Sequence, residues 1–280
     1  MPNDKAIGVF DSGVGGLTVL NAIRKQLPQE NLVYLGDTAR VPYGTKSALS
    51  VQRYATQATQ ALLHHDVKMI VIACNTASAY AVEHLKTCFP DIPVVGVIEP
   101  GAMASCEASV SGRIGVIATE GTVNNQAYHK AILELRPQAS VSALACSLFV
   151  ALAEEGWHEG PLVESIVAEC LKPFIQTMHN PRNEPLDTLV LGCTHFPVLK
   201  KAIGSVLGSS VALVDSAYTT ALWVESLLKE KGLARTALSD GEIRFFVTDG
   251  PERFARVAMS FFDESLVGHS IEVIDIQHLV

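Results

Sequence analysis

The chain has 280 residues, of which 48% are hydrophobic and only 6% aromatic, and its formal net charge is -8 at pH 7. This length and apolar content suffice for one large domain, or two smaller ones, with buried cores. The acidic balance and the lack of Lys/Arg runs argue against a nucleic-acid partner or an anionic membrane surface.

Short apolar runs alternate with amphipathic stretches along the chain. The apolar runs predict strands over residues 6–10, 31–36, 68–73, 94–98, 113–118, 140–145, 188–192 and 211–214. The amphipathic stretches predict helices over residues 17–27, 48–65, 125–135, 162–178 and 218–231. Alternating strands and helices form right-handed crossovers, so we expect mostly parallel sheets with helices on both faces.

A weak internal repeat indicates two similar halves. Three segments recur in the same order: IGVFDS and IGVIAT, then VYLGDT and VSALAC, then VIACNT and VLGCTH. Each match alone is ordinary for an α/β protein, but the ordered set favours a duplicated architecture. Two such halves would face each other across a cleft at the carboxyl ends of their strands, where open α/β sheets bind ligands.

A glycine-rich loop, DSGVGG at 11–16, follows the first predicted strand. Its spacing resembles a dinucleotide fingerprint, and Asp37 lies about 20 residues beyond it. However, Thr18 replaces the third glycine of that fingerprint, and Asp11 would repel a pyrophosphate. The loop therefore fits a smaller anion such as a carboxylate, or a plain turn capped by Ser12.

Two cysteines occupy matching positions in the two halves. Cys74 and Cys193 each follow an apolar run, and Asn-Thr at 75–76 and Thr-His at 194–195 come directly after them. A helix N-terminus or a basic partner lowers the pKa of a thiol from ~8.5 to ~3.5–7.5. Two thiols 119 residues apart with one histidine do not have zinc-ligand spacing. A papain-type site would need one cysteine and a local signature that is absent.

The remaining cysteines and the N-terminus indicate a reduced compartment. Six cysteines without a C-x-x-C pair are too sparse for a disulfide framework, and four of them have no chemically suggestive neighbours: Cys88, Cys106, Cys146 and Cys170. The first residues, MPNDKAIGVFDSG, lack the basic and apolar regions of a secretory signal. No stretch has the ~18–20 apolar residues of a membrane span. We expect a cytoplasmic protein.

One thiol in each half suits a reaction that needs an acid/base on both faces of a substrate. Inversion at a carbon is such a reaction, because one thiolate removes the α-proton and the opposite thiol delivers another. Without a pyridoxal electron sink, the carbanion must be stabilised by hydrogen-bond donors and by exclusion of water. The Thr and Asn side chains beside the cysteines meet that need.

Seven segments together resemble the cofactor-independent Asp/Glu racemase family, and within it the glutamate racemases, over nearly the whole chain. They are FDSGVGGLTVL, GDTARVPYG, ACNTASA, GVIEPGA, GVIATEGTV, LGCTHFP and VDSAYTTA. The resemblance implies two similar three-layer α/β domains with mostly parallel sheets, related by a pseudo-twofold axis. The active site would lie in the cleft between them. The implied first domain is 1–97 plus 208–280, carrying Cys74, and the second is 98–207, carrying Cys193.

The resemblance also assigns roles to individual residues. Cys74 and Cys193 would be the catalytic acid/bases, with Asp11 assisting Cys74 and His195 assisting Cys193. The substrate-binding residues implied by the family motifs are Asp11, Ser12, Tyr43, Gly44, Asn75, Thr76, Thr119, Thr122, Thr194 and His195.

A further catalytic acidic residue of the family best matches Glu154. The surrounding stretch, ACSLFVALAEEG, has Ser147 and Ala151 where relatives commonly have proline, so the choice between Glu154 and Glu155 stays open.

The activity implied is interconversion of L- and D-glutamate, supplying D-glutamate for peptidoglycan in a bacterial cytoplasm. No cofactor and no metal are expected, and a homodimer is a candidate assembly. Two alternatives stay open. Aspartate racemases have paired cysteines but lack the DSGVGG and CTHFP contexts, and a small-anion binding protein could reuse the same scaffold.

Overall fold

The computed structural model describes residues 4–178, 185–237, 239–264, 266 and 269–279. Its strands are β1 Ala6–Asp11, β2 Leu32–Gly36, β3 Val67–Ile72, β4 Val94–Gly96, β5 Arg113–Ala118, β6 Ser140–Ala145, β7 Thr188–Gly192, β8 Ala212–Asp215, β9 Ile243–Val247 and β10 Ile271–Val273. Its α-helices are α1 Leu17–Gln26, α2 Ala48–Leu63, α3 Asn75–Cys88, α4 Ile98–Ala108, α5 Glu120–Asn125, α6 Ala127–Leu135, α7 Leu148–Glu154, α8 Pro161–Cys170, α9 Lys172–Met178, α10 Lys200–Leu207, α11 Ser216–Glu230 and α12 Pro251–Ala258. Two short 3-10 helices cover Tyr43–Thr45 and Phe196–Leu199.

The strands form two sheets, and the strand pairs within the described ranges are all parallel. The first sheet has the order β10-β9-β2-β1-β3-β4, and the second has the order β6-β5-β7-β8. Helices cover both sides of the sheets. The predicted α/β class with parallel sheets is therefore confirmed.

The two sheets share one strand order, as the internal repeat predicts. In the first sheet β2-β1-β3-β4 lie side by side, and in the second β6-β5-β7-β8 repeat that order strand for strand. The repeated segments IGVFDS and IGVIAT lie on β1 and β5. Within each sheet this strand lies beside the strand that leads to Cys74 or Cys193, which are β3 and β7. The first sheet continues beyond β2 with β9 and β10, two strands that were not among the predicted ones.

Strand pairing places β8 with the second sheet. Residues Ala212–Asp215 pair in parallel with β7, because α10 carries the chain back across the sheet and returns it beside β7. The predicted boundary at 208 falls before β8, and the chain next pairs with the first sheet through β9. The division into two domains is otherwise still a prediction.

Both faces of the first sheet are buried. Val9 and Val71 lie in the hydrophobic cluster on one face, whereas Phe10 and Ile72, one residue further along each strand, lie in the cluster on the other. Successive side chains of a strand point to opposite faces, so strands covered on both sides need continuous apolar runs. Among the helices of the described ranges, none is long and apolar enough to cross a membrane.

Candidate active site

The chemically active side chains lie at the carboxyl ends of β1, β3 and β7. β1 ends at Asp11, β3 leads within two residues to Cys74, and β7 leads directly to Cys193. Because parallel strands end at the same edge of a sheet, Asp11 and Cys74 lie at one edge of the first sheet. The end of β7, in the second sheet, meets that edge where Thr194, next to Cys193, contacts Asp11. All three are buried.

Cys74 is the N-cap residue of α3. Its Sγ accepts a hydrogen bond from the backbone N–H of Ala77 at 3.5 Å and lies 3.7 Å from Ser12 Oγ. Burial, together with the negative charge of Asp11, raises the pKa of the Cys74 thiol to about 12. Cys74 is therefore protonated at neutral pH and is a strong base once it has lost its proton.

Cys193 begins a chain of polar contacts. Its Sγ lies 3.9 Å from His195 Nδ1, and His195 Nε2 lies 3.2 Å from Glu154 Oε1 on α7. Arg253, on α12, donates a hydrogen bond to the other carboxylate oxygen of Glu154 at 2.9 Å. Glu155, the alternative acidic residue, is exposed and lies 3.9 Å from the same guanidinium.

His195 carries a positive charge at neutral pH. Burial alone would lower its pKa, but hydrogen bonds with Cys193 and Glu154 and the charge of Asp11 reverse this effect and raise the pKa to about 10. The hydrogen bond from His195 also lowers the pKa of Glu154. An imidazolium next to Cys193 Sγ is the kind of partner that stabilises a thiolate. The two cysteines therefore have different electrostatic surroundings.

Asp11 lies between the two halves of the site. Its Oδ2 accepts a hydrogen bond from the Gly13 backbone at 2.9 Å, and its Oδ1 lies 3.5 Å from Thr194 Oγ1. Burial raises the pKa of Asp11, while the charge of His195 and backbone donors oppose that rise. Asp11 thus joins the loop after β1 to the segment after β7.

Three threonine hydroxyls form a triangle across the two halves. Thr76 Oγ1 lies 2.9 Å from Thr119 Oγ1 and 3.3 Å from Thr122 Oγ1, and the last two are 3.1 Å apart. Thr76 belongs to α3 of the first half, whereas Thr119 and Thr122 follow β5 of the second. These hydroxyls can rotate to donate to, or accept from, a bound polar group.

Tyr43 and Gly44 lie on a short 3-10 helix that packs against the second half. The Tyr43 hydroxyl donates to the carboxylate of Asp37, so this side chain is occupied within the protein. A Cβ on Gly44 would lie 2.6 Å from Thr119 Cβ, which shows how closely the loop packs on the second half. Only glycine fits this approach.

Two residues in or beside the site were missed by the sequence reasoning. The Tyr128 hydroxyl donates to Asn75 Oδ1 at 2.7 Å, and Arg253 binds Glu154. Tyr128 lies outside the seven segments that carry the resemblance. Arg253 belongs to TDGPERF at 248–254, a segment that the sequence places away from the chemistry, and its contact with Glu154 corrects that expectation. Within the part of the chain that the structure describes, no group of three or more His, Cys, Asp or Glu side chains could hold a metal ion.

Comparison with known proteins shows the family of this chain. Residues 7–222 match the model of the Asp/Glu/Hydantoin racemase family. The chain belongs to this family, so the family and enzyme class predicted from the sequence are confirmed.

Individual relatives are similar over almost their whole length. A glutamate racemase from Geobacter metallireducens is 50% identical over 262 residues, covering 94% of each chain. Among solved structures, a glutamate racemase isoform from Bacillus anthracis is 36% identical, with a TM-score of 0.90 and 98% of each chain covered. A glutamate racemase from Francisella tularensis, solved in complex with D-glutamate, is 38% identical with a TM-score of 0.88, covering 98% of this chain and 99% of its own.

Proposed function

We propose that this protein interconverts L- and D-glutamate by a two-base mechanism in which Cys74 and Cys193 act on opposite faces of the substrate. The observation that carries the proposal is the pair of buried cysteines, one after β3 beside Ser12 and one after β7 beside His195. Glutamate, rather than aspartate, is supported by the relatives named above, which are glutamate racemases.

In the L-to-D direction, the Cys193 thiolate removes the α-proton of L-glutamate. The electron pair of the broken C–H bond stays on the substrate as a carbanion delocalised into the α-carboxylate. The Cys74 thiol then donates its proton to the opposite face of the α-carbon, leaving a thiolate on Cys74 and a thiol on Cys193. D-glutamate reacts by the reverse steps, so each thiol serves one enantiomer as base.

The neighbouring polar groups would control the basicity of the two thiols. The His195 imidazolium, 3.9 Å from Cys193 Sγ and held by Glu154, stabilises the thiolate that attacks L-glutamate. Burial and Asp11 make the Cys74 thiolate a strong base toward D-glutamate. The contact with His195 supports Glu154, and not Glu155, as the acidic residue of this relay.

Neutral donors would hold the substrate and its carbanion. Backbone N–H groups at Ser12 and Gly44, the amide of Asn75 and the threonine hydroxyls can donate hydrogen bonds to carboxylates in a water-poor site. We assign no step to a metal or cofactor.

A glutamate racemase would supply D-glutamate for peptidoglycan in a bacterial cytoplasm, and we propose this role for the protein. A homodimer stays a prediction.

NMR in deuterated water tests the reaction and its substrate. Purified protein should exchange the α-proton of L- and D-glutamate and convert each into the other, while L-aspartate stays unchanged. Preferred turnover of aspartate would instead favour the aspartate racemase alternative. Binding of glutamate without exchange would favour the small-anion binding protein.

Elimination of HCl from 3-chloroglutamate enantiomers tests the assignment of the two thiols. Equal kcat/KM in both directions is imposed on racemisation because enantiomers have equal free energy, so racemisation itself cannot reveal the asymmetry. Serine is far too weak an acid to replace the thiol, yet nearly keeps its shape. Cys193→Ser should eliminate HCl only from the D-like analogue and Cys74→Ser only from the L-like one.

Both variants should lose racemisation, whereas Cys88→Ser, which changes an exposed thiol outside the site, should keep it. Equal residual elimination from the two enantiomers by both active-site variants would contradict the one-base-per-face assignment. Undiminished racemisation by either variant would contradict the mechanism.

A further inference from the structure

Tyr128 links the two halves of the site through a single hydroxyl group. It lies on α6, in the second half, and is 3% exposed. Its hydroxyl donates to Oδ1 of Asn75 at 2.7 Å, and Asn75 is the first residue of α3 in the first half, directly after Cys74. The bond therefore reaches from one half of the molecule to the base-bearing segment of the other.

The Tyr128 ring occupies a slot made by two glycines. A Cβ on Gly192 would lie 3.0 Å from the ring, and a Cβ on Gly101 would lie 3.0 Å from the hydroxyl oxygen. Gly192 immediately precedes Cys193, so the ring is held beside the second thiol as well. Burial raises the pKa of Tyr128 above its usual range, so the hydroxyl stays protonated and can donate.

The amide of Asn75 is only half used by the protein. Its Oδ1 accepts from Tyr128, while its Nδ2 is buried and has no hydrogen-bond partner among the described residues. Buried polar groups are nearly always hydrogen-bonded, so an orphaned N–H₂ beside a catalytic thiol indicates a ligand acceptor. Oxygen and nitrogen of an amide are fixed on opposite sides, so a donor that holds the oxygen also directs the nitrogen.

We propose that Tyr128 is a positioning residue that holds the Asn75 amide in the orientation in which its N–H₂ donates to a carboxylate of the bound amino acid. This inference rests on the proposed racemase function and deepens it. Without the Tyr128 hydroxyl, the Asn75 amide can rotate so that its oxygen, and not its N–H₂, faces the carboxylate. The oxygen cannot donate a hydrogen bond and would repel the carboxylate. Tyr128 itself need not touch the substrate.

Tyr128→Phe tests the proposal, because it removes one oxygen and keeps the ring in its slot. We expect kcat/KM for L-glutamate to fall roughly tenfold, mostly through a higher KM. The lost hydrogen bond would stabilise the bound substrate and the transition state equally, so its loss should change KM more than kcat. Thermal unfolding of the variant shows whether it is folded. A folded variant with unchanged KM would overturn the proposal.

A double-mutant cycle separates positioning from a general structural effect. If Tyr128 acts through Asn75, then Tyr128→Phe should change kcat/KM less than about twofold when Asn75 is already alanine. Tyr80→Phe is the matched control: its hydroxyl also crosses between the halves, to the backbone carbonyl of Gly121 at 2.9 Å. Whatever effect Tyr80→Phe has should persist in the Asn75→Ala background.

If Asn75→Ala turns over too slowly to measure, calorimetric binding of D-glutamate replaces kinetics in the same cycle. Additive effects of Tyr128→Phe and Asn75→Ala would overturn the proposal. Failure of the proposed function is a separate outcome, since the unmodified protein would then not racemise glutamate at all.

Discussion

Gly15 controls the position of the His195 ring. A Cβ at this position would lie 2.5 Å from His195 Nδ1 and 2.5 Å from Thr194 Oγ1. Gly15 does not adopt a left-handed backbone conformation, so Gly15→Ala tests contact alone and not backbone strain. The added methyl group must displace the imidazole, or the loop that carries it, and so change its contact with Cys193.

The size of the effect follows from these distances. Ordinary contacts of a Cβ begin near 3.4 Å, so the ring or the loop must move by about 1 Å. Overpacking of this kind costs ~1–3 kcal/mol of folding free energy. A misplacement of about 1 Å in a catalytic group can cost ~100-fold in rate. We therefore expect Gly15→Ala to remain folded with a kcat/KM about 100-fold lower.

Gly13→Ala is the matched control in the same loop, since its Cβ would meet only Val41 Cγ2 at an ordinary 3.7 Å. Racemisation followed by circular dichroism measures activity, and urea unfolding measures the free energy of unfolding. Elimination from the chlorinated analogues should weaken more for the L-like enantiomer, whose base is Cys193. Activity of Gly15→Ala within twofold of the unmodified protein, or an equal loss in Gly13→Ala, would contradict this role of Gly15.

Three further predictions concern the charge of His195, the contact of Arg253 with Glu154, and the need for a cofactor. The pKa of His195 is raised to about 10, so its stabilising contribution is complete below about pH 6.5 and is lost as pH rises through 10. Urea unfolding of the protein and of His195→Asn should therefore converge over that window, from a difference on the order of 5 kcal/mol. A constant difference would count against it. Arg253→Met should lower kcat/KM only a few-fold, and by a smaller factor at high salt, because this guanidinium is 59% exposed. Arg256→Met, on the same helix, should leave kcat/KM unchanged. An unchanged kcat/KM in Arg253→Met would show that Arg253 does not act through Glu154 and His195. Exhaustive dialysis with a chelator should leave racemisation unchanged, and a loss restored by a metal or pyridoxal phosphate would contradict the cofactor-free mechanism.

The parallel sheets were predictable because their burial is recorded directly in the sequence. A strand covered on both faces must be apolar at nearly every position, as in KMIVIA before Cys74, and such runs are visible without any structure. β9 was missed although its sequence, IRFFV, is mostly apolar, since Arg244 interrupts the run. The positions of Cys74 and Cys193 at strand ends followed from the same pattern.

The pKa shifts and the side-chain contacts within the site depend on the tertiary structure. Tyr128 and Asn75 are 53 residues apart, and Arg253 and Glu154 are 99 apart, so no local pattern could pair them. The membership of β8 in the second sheet depended likewise on its partner strand. The candidate catalytic residues Asp11, Cys74, Cys193 and His195 could be predicted from the sequence, because side-chain type and strand periodicity are local properties. The raised pKa of the Cys74 thiol depends on burial and on the charge of Asp11, and these exist only once distant segments are packed together.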